Sequence, residues 1–310
     1  MPRQSRWSCF TLLLFALGAC AQPPQPCPAA TGVSLQILGS GGPVADDARA
    51  SSGYLVWHEG RARILIDAGG GVFLRFGEAR ADIADLELIA ISHFHTDHSA
   101  DLSALLKSGY FADDRGPIHI SGPAGDPPFP GLNDFLQALL AVDSGAYAYL
   151  SGYLDGSGGL PLLVPHEIGE QAQPVTIPVG DAANLKVAAL RVPHGIVPSV
   201  AYRIEVAGKT LVFASDQNGK EPEFTKLAAN ADVLVMHMPV PVGATGAARA
   251  LHAPPDVIGS IAQDADVGHL VLSHFMARSL RDLEANVSSV RAHYSGTLTV
   301  SNDLDCLLLD

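Results

Sequence analysis

The pattern of the chain predicts an α/β fold, with strands outnumbering helices in the first half and alternating with them in the second. Three observations carry this. Hydrophobic residues make up 47 % of the 310 and charged residues only 16 %, enough material for a large core. Short runs rich in Val, Ile and Leu recur, each bounded by Gly, Pro or Asp. Between the later runs lie stretches of helical length with apolar residues three and four apart.

Taken in order, strands are expected at Ser34–Leu38, Gly53–His58, Arg63–Asp67, Leu88–Ser92 and Ile118–Ser121. More follow at Leu185–Val192, Val200–Val206, Thr210–Ala214, Val233–His237, His269–Ser273 and Thr297–Val300. Helices are expected at Gly71–Phe76, Asp101–Lys107, Gly131–Val142, Glu221–Ala229, Pro254–Asp264 and Leu280–His293. Ser144–Glu170, rich in Gly, Tyr and Leu, reads as a long irregular segment, a candidate lid over a site. No repeat of fixed period is visible, and no domain boundary is signalled after Gly32.

The N-terminus reads as an export signal rather than part of the fold. Arg3 and Arg6 precede an apolar run, Trp7–Leu17, that is too short to span a bilayer. Leu17-Gly18-Ala19-Cys20 then resembles the lipobox of bacterial lipoproteins. That resemblance implies a leader over residues 1–19, a lipidated Cys20 as membrane anchor, and, from Ala21, an outer-membrane protein facing the periplasm. A plain secretory signal cut before Gly32 is the alternative. Residues 20–32 carry Pro23, Pro24, Pro26 and Pro28 and read as a tether, leaving residues 33–310 as the folded domain. Cys27 and Cys306 would be the only thiols left in an oxidising compartment, so a disulfide between them is expected.

With Lys+Arg 19 against Asp+Glu 32, the formal charge is -13. Such a surface repels phosphate backbones, so the expectation is a small anionic ester as substrate and no nucleic acid.

The central signal is Leu88-Ile89-Ala90-Ile91-Ser92 running into His93-Phe94-His95-Thr96-Asp97-His98. A buried strand ends where the motif begins, and a helix follows. Three imidazoles and a carboxylate crowded into six residues repel when protonated and compete for partners when neutral. A divalent cation removes that conflict, because neutral imidazole and carboxylate are its preferred ligands. Three further residues each follow an apolar run, and singly each is a weak signal: His194 after Leu185–Val192, Asp216 after Leu211–Ala214, and His274 after Leu270–Leu272.

These residues resemble the metallo-β-lactamase superfamily, whose signature is HxHxDH followed by a lone His, an Asp and a final His. The resemblance implies a four-layer αββα sandwich. It also implies two divalent metal ions, Zn²⁺ in the first instance. His93 and His95 would serve one ion and Asp97 and His98 the other, with His194 and His274 as further ligands and Asp216 bridging. Asp67, in Ile64-Leu65-Ile66-Asp67-Ala68-Gly69, matches a carboxylate behind the ligands. An Asp rather than Cys or Ser at 216 resembles the phosphodiesterase, arylsulfatase, lactonase, glyoxalase and tRNA 3′-processing branches.

His252-Ala253-Pro254 and Leu272-Ser273-His274-Phe275 resemble the tRNase Z/arylsulfatase-like branch, where a His in the place of His252 assists the leaving group. Asp97 and His252 are therefore the catalytic candidates, and His237 reads as structural or as a residue behind the ligands. The Glu that partners this His in the branch is missing, since Met238 follows His237. Only one hairpin, turning at Ala207-Gly208-Lys209, separates His194 from Asp216. It leaves no room for a tRNA-gripping arm, so tRNA processing is not expected. The function expected is hydrolysis of small phosphodiesters or aryl sulfates by water activated between two metals. The alternatives are a lactonase or other acyl-ester or β-lactam hydrolase, and a metal-holding lipoprotein without turnover. His58, His119, His166, His269 and His293 lack ligand spacing, and Gly39-Ser40-Gly41-Gly42 reads as a strand-end turn.

Overall fold

A computed structural model describes residue 27 and residues 31–110, 116–179 and 185–309. The expected leader, Cys20 and almost all of the tether lie outside the described residues.

Among the described residues, fourteen strands form two seven-stranded sheets. The first uses β1 (Val33–Gly39), β2 (Gly53–His58), β3 (Arg61–Ile66), β4 (Leu88–Ala90), β5 (Ile118–Pro123), β6 (Leu163–Ile168) and β14 (Cys306–Leu309), in the order β14-β1-β2-β3-β4-β5-β6. The second uses β7 (Val175–Ile177), β8 (Lys186–His194), β9 (Val197–Val206), β10 (Lys209–Phe213), β11 (Val233–His237), β12 (His269–Ser273) and β13 (Thr297–Val300), in the order β13-β12-β11-β10-β9-β8-β7. Antiparallel hairpins open each sheet and parallel strands follow: β3, β4, β5 and β6 in one, β10, β11, β12 and β13 in the other.

The layers follow from the alternation of side chains along each strand. Leu35, Ile37, Tyr54, Val56, Ile64 and Ile66 of the first sheet meet Val187, Tyr202, Ile204, Leu211, Phe213 and Val235 of the second in one dry cluster. The opposite face of the first sheet buries Leu55, Leu65 and Ile89 under the helices Leu102–Gly109 and Leu132–Leu140. The outer face of the second buries Val212, Leu234 and Leu270 under Pro222–Leu227, Pro255–Asp264 and Leu283–Arg291. The result is the expected αββα sandwich. Truncating one of these core Leu or Ile residues to Ala costs about 2–5 kcal/mol.

Ser144–Glu170 departs from expectation. Among its described residues are short helical turns at Ala148–Leu150 and Gly152–Asp155, and then β6. Leu150, Tyr153 and Leu160 are buried in the outer core, and the Tyr153 hydroxyl donates to the Leu106 carbonyl at 2.7 Å. The segment is part of the helical layer rather than a lid, because its Leu and Tyr residues have an apolar face to cover. β14 adds itself to the edge of β1, with Cys306 opposite Gln36. Cys27 and Cys306 form a disulfide there, with Cα atoms 5.5 Å apart. Among the described residues, no helix is long and apolar enough to cross a membrane.

Candidate metal centre

The seven residues singled out by sequence converge at one end of the sandwich, where parallel strands of both sheets stop. β4 delivers His93 and His95 in a loop, and the short helix Thr96–Ser99 turns Asp97 and His98 back towards them. β8 ends at His194, β10 leads to Asp216, and β12 leads to His274. Parallel pairing of β10 with β11 and β11 with β12 sets these strand ends side by side.

The local backbone is unusual where it serves the site. Asp67, Ser215 and His274 take left-handed conformations, with φ of 59°, 57° and 56°. Such values are unfavourable for residues with a Cβ and cluster where function over-determines geometry. Two glycines permit close approach. A Cβ on Gly69 would lie 2.1 Å from the Asp97 carbonyl oxygen, and one on Gly42 would lie 2.9 Å from His274 Cε1. The Gly39–Gly42 turn thus lets its backbone pair with Phe275, through Gly42 N–H to Phe275 O and Phe275 N–H to Ser40 O.

Two groups of ligand atoms form. His93 Nε2 and His95 Nδ1 face each other at 3.0 Å, and His194 completes that group. In the second, His274 Nε2 lies 3.2 Å from both His98 Nε2 and Asp97 Oδ2. Asp216 stands between the groups: Oδ2 is 3.6 Å from His194 Nε2 and 3.7 Å from His98 Nε2, and Oδ1 is 3.5 Å from His274 Nε2. His252 joins the rim, its Nδ1 3.8 Å from Asp216 Oδ2.

Residues behind the ligands set which nitrogen points inward. His98 Nδ1–H donates to Asp67 Oδ2 at 2.8 Å, and His194 Nδ1–H donates to the Leu251 carbonyl at 2.9 Å. Both turn Nε2 towards the centre, the face that a ligating histidine presents. Asp67 is itself held by the Ser92 N–H at 2.7 Å and the Ser92 hydroxyl at 2.9 Å.

Electrostatics point the same way. Burial, and then the charge of His98, hold His93 well below the usual imidazole range; burial and His194 lower His95. Both are neutral at pH 7, as a metal ligand would have to be. Burial would push the Asp97 and Asp216 carboxyls up, but His98 and His274 around Asp97, and His274 and His252 around Asp216, outweigh it and keep both ionised. Burial pushes His98 down, yet Asp67 and Asp97 overcome it and raise the imidazole well above its ordinary value. Without a cation, His98 therefore carries the proton that partly balances these carboxylates. His274 Nδ1 and His252 Nδ1 are buried without a hydrogen-bond partner among the described residues. Facing imidazole nitrogens and ionised carboxylates suit divalent cations better than any assignment of protons.

Sequence reasoning gave His237 a structural role or a place behind the ligands, and the structure sets it directly behind Asp216. Its Nδ1–H donates to Asp216 Oδ1 at 2.7 Å, and its ligand atom groups with those of His98, Asp216 and His274. The Tyr54 hydroxyl sits 3.0 Å from His237 Nε2 and 3.0 Å from Ser273 Oγ. The position at the C-terminal end of a buried parallel strand was the available signal. Of the histidines without ligand spacing, His119 and His166 pair with each other at 2.8 Å, away from the centre.

Comparison with known proteins gives this geometry a family. The profile of the Metallo-beta-lactamase superfamily matches residues 46–217, more than half of the chain. A ribonuclease Z of Mycobacterium bovis is 27 % identical over 285 residues, which covers 88 % of this chain and 96 % of the relative. Two solved structures share the fold. The metallo-beta-lactamase fold protein YhfI from Bacillus subtilis superposes with a TM-score of 0.67 at 20 % identity, covering 89 % of this chain and 98 % of its own. The short form of human tRNase Z gives 0.67 at 20 % identity, covering 88 % and 98 %.

These relatives correct one expectation. Net charge was taken to exclude nucleic acid and the short hairpin to exclude tRNA, yet relatives along most of the chain are named for cleaving RNA. The physical reason is that a net charge of -13 sums the whole surface, while substrate meets only the local field, which bound cations reverse. The chain belongs to the metallo-β-lactamase superfamily and is a hydrolase of that fold.

Proposed function

We propose that this protein is a dinuclear, zinc-dependent phosphodiesterase, with His93, His95 and His194 holding one ion, Asp97, His98 and His274 the other, and Asp216 shared between them. The observation that carries this reading is the place of Asp216 Oδ2, between 3.6 and 3.8 Å from His194, His98 and His252 at once. A carboxylate oxygen set among three imidazoles from separate elements matches a bridging ligand.

Two divalent cations would supply a lowered water pKa and would neutralise charge on the phosphoryl oxygens. The chain does the rest. Asp97, ionised and 6 % exposed, would hold one ion and orient the attacking water. His252 is pushed down to about 3, by burial first, so it is neutral at pH 7 and offers an N–H to the leaving oxygen rather than a full proton charge. His237, Asp67 and Leu251 O hold ligand orientation.

Aryl sulfates present the same tetrahedral anion and belong to the same test. Zinc-loaded protein is assayed on chromogenic phosphodiester, sulfate, lactone and cephalosporin substrates and on a short RNA. Phosphodiester turnover that EDTA removes and zinc restores is expected. Its absence across a metal-replete preparation would overturn the reading. Export as a lipoprotein anchored through Cys20 is proposed beside it, on the leader pattern and on the Cys27–Cys306 disulfide, a bond that persists in oxidising compartments.

A further inference from the structure

Six of the seven proposed ligands are at most 6 % exposed; His95 alone is half-buried. His95 is therefore the least covered of the proposed ligands. Against it lies a cavity of about 140 Å³, walled by Phe94, Phe129, Phe135, Pro130 and Val197 and ending on His95.

The walls are built by separate parts of the fold. Phe94, between the ligands His93 and His95, stacks on Phe135 of the helix Leu132–Leu140, with ring centroids 4.4 Å apart and planes 11° from parallel. Gly122 makes room for it, since a Cβ there would lie 3.2 Å from Phe94 Cζ. No Lys, Arg, Asp or Glu lines the cavity, so it offers nothing to a phosphate or a charged side chain. Its volume is close to the roughly 150 Å³ of an apolar cavity that takes up benzene. His252, placed at the leaving group, is not among the lining residues.

We infer that this cavity is a specificity pocket for one planar six-membered ring, carried by the ester group that stays on phosphorus while the other group leaves. The inference rests on the phosphodiesterase reading and adds the substrate class: a diester bearing an aromatic ring on its retained side. An aryl ester and a pyrimidine nucleoside both supply such a ring.

The test holds the leaving group constant. Wild type and the variants Phe135→Ala and Phe129→Ala are assayed on phenyl 4-nitrophenyl phosphate and methyl 4-nitrophenyl phosphate. Stacking of one ring is worth about 1–3 kcal/mol, roughly a 5- to 150-fold preference in kcat/KM. Wild type is expected to favour the phenyl ester by about tenfold or more. Either alanine variant should cut that ratio about fivefold. A wild-type ratio near one, or a ratio unchanged in both folded variants, overturns the pocket. Thymidine 5′-(4-nitrophenyl phosphate) separates the sources. A lead over the methyl ester that Phe135→Ala removes assigns the ring to a nucleobase, and a lead confined to the phenyl ester assigns it to an aryl group. If no ester turns over, the phosphodiesterase reading has failed by itself. Calorimetric titration of phenylphosphonate and methylphosphonate into zinc-loaded protein then decides the pocket. A phenyl preference lost in Phe135→Ala upholds it, and equal affinity overturns it.

Discussion

His237 Nδ1 meets Asp216 Oδ1 at 2.7 Å, with both side chains buried and the far nitrogen of the imidazole against Tyr54. Burial and then His274 push His237 down to about 4, so it is neutral and its single proton lies on the nitrogen facing Asp216. Removing a partner of this kind costs 10- to 100-fold in metal affinity or activity. His237→Ala is expected to lose zinc on dialysis and to lower kcat by about that factor. His237→Asn, whose amide N–H can reach the same oxygen, should recover much of both. Zinc content that stays at the wild-type level in the Ala variant would show that Asp216 needs no such support.

Metal stoichiometry tests the ligand set directly. Elemental analysis after mild purification should give close to two divalent ions per chain. Asp216→Ala, which removes the shared carboxylate, should lower that number and abolish hydrolysis. Asp97→Ala should abolish hydrolysis with the fold retained by circular dichroism, because the carboxylate faces the centre and carries no core packing. Wild-type turnover in either variant removes that residue from the mechanism.

For His252, the leaving group supplies the test. A 4-nitrophenolate departs without help, whereas an alkoxide needs a hydrogen-bond donor as charge develops on it. His252→Ala should therefore reduce turnover of an alkyl leaving group at least about tenfold more than that of nitrophenolate. Equal losses on both substrates would limit His252 to packing against His194, whose ring centroid lies 5.1 Å away.

How much of this was legible in the sequence depended on the range of the signal. HxHxDH is local, so His93, His95, Asp97 and His98 could be read from one loop. His194, Asp216 and His274 were readable because each ends an apolar strand. His237 also ends one, Val233–His237, but its role depends on parallel pairing that sets β11 beside β10, which no local pattern states. β6 escaped because Pro165 and His166 interrupt its apolar residues, and β14 because a four-residue edge strand carries too little alternation. Phe129 and Phe135 are 34 and 40 residues beyond His95 and meet it only in the folded chain. Charge misled for a different reason: a sum over all residues says nothing about the field at one opening.

The disulfide joins residues 279 apart and fixes the last strand to the start of the fold. Closing so long a loop limits the unfolded chain and, in the chain-entropy model, stabilises by about 5 kcal/mol, although measured values are often nearer 2. Cys306→Ser should lower the Tm by roughly 5–15 °C, at the few degrees per kcal/mol expected for a chain of this size. Reductant should lower wild type equally and leave the variant unmoved. A reductant effect of the same size in both would place the effect elsewhere.

The last prediction concerns acid stability away from the metals. His119 Nδ1 and His166 Nε2 lie 2.8 Å apart on neighbouring strands, rings stacked at 5.1 Å, so one nitrogen donates and the other must stay unprotonated. Burial lowers both imidazoles, and His119 lowers His166 further. A folded-state pKa below the unfolded value of about 6.5 means the unfolded chain takes up protons first as pH falls. The contribution of the pair is then complete above that value and is lost as pH drops through it towards the folded value. Melting curves at pH 7.5 and pH 5.5 should show a larger fall in wild type than in His166→Gln, whose amide keeps a hydrogen bond to His119 without titrating. The metal-centre histidines are common to both proteins, so their own acid sensitivity cancels in the comparison. Identical falls in the two proteins would show that the pair accepts a proton at no cost to the fold.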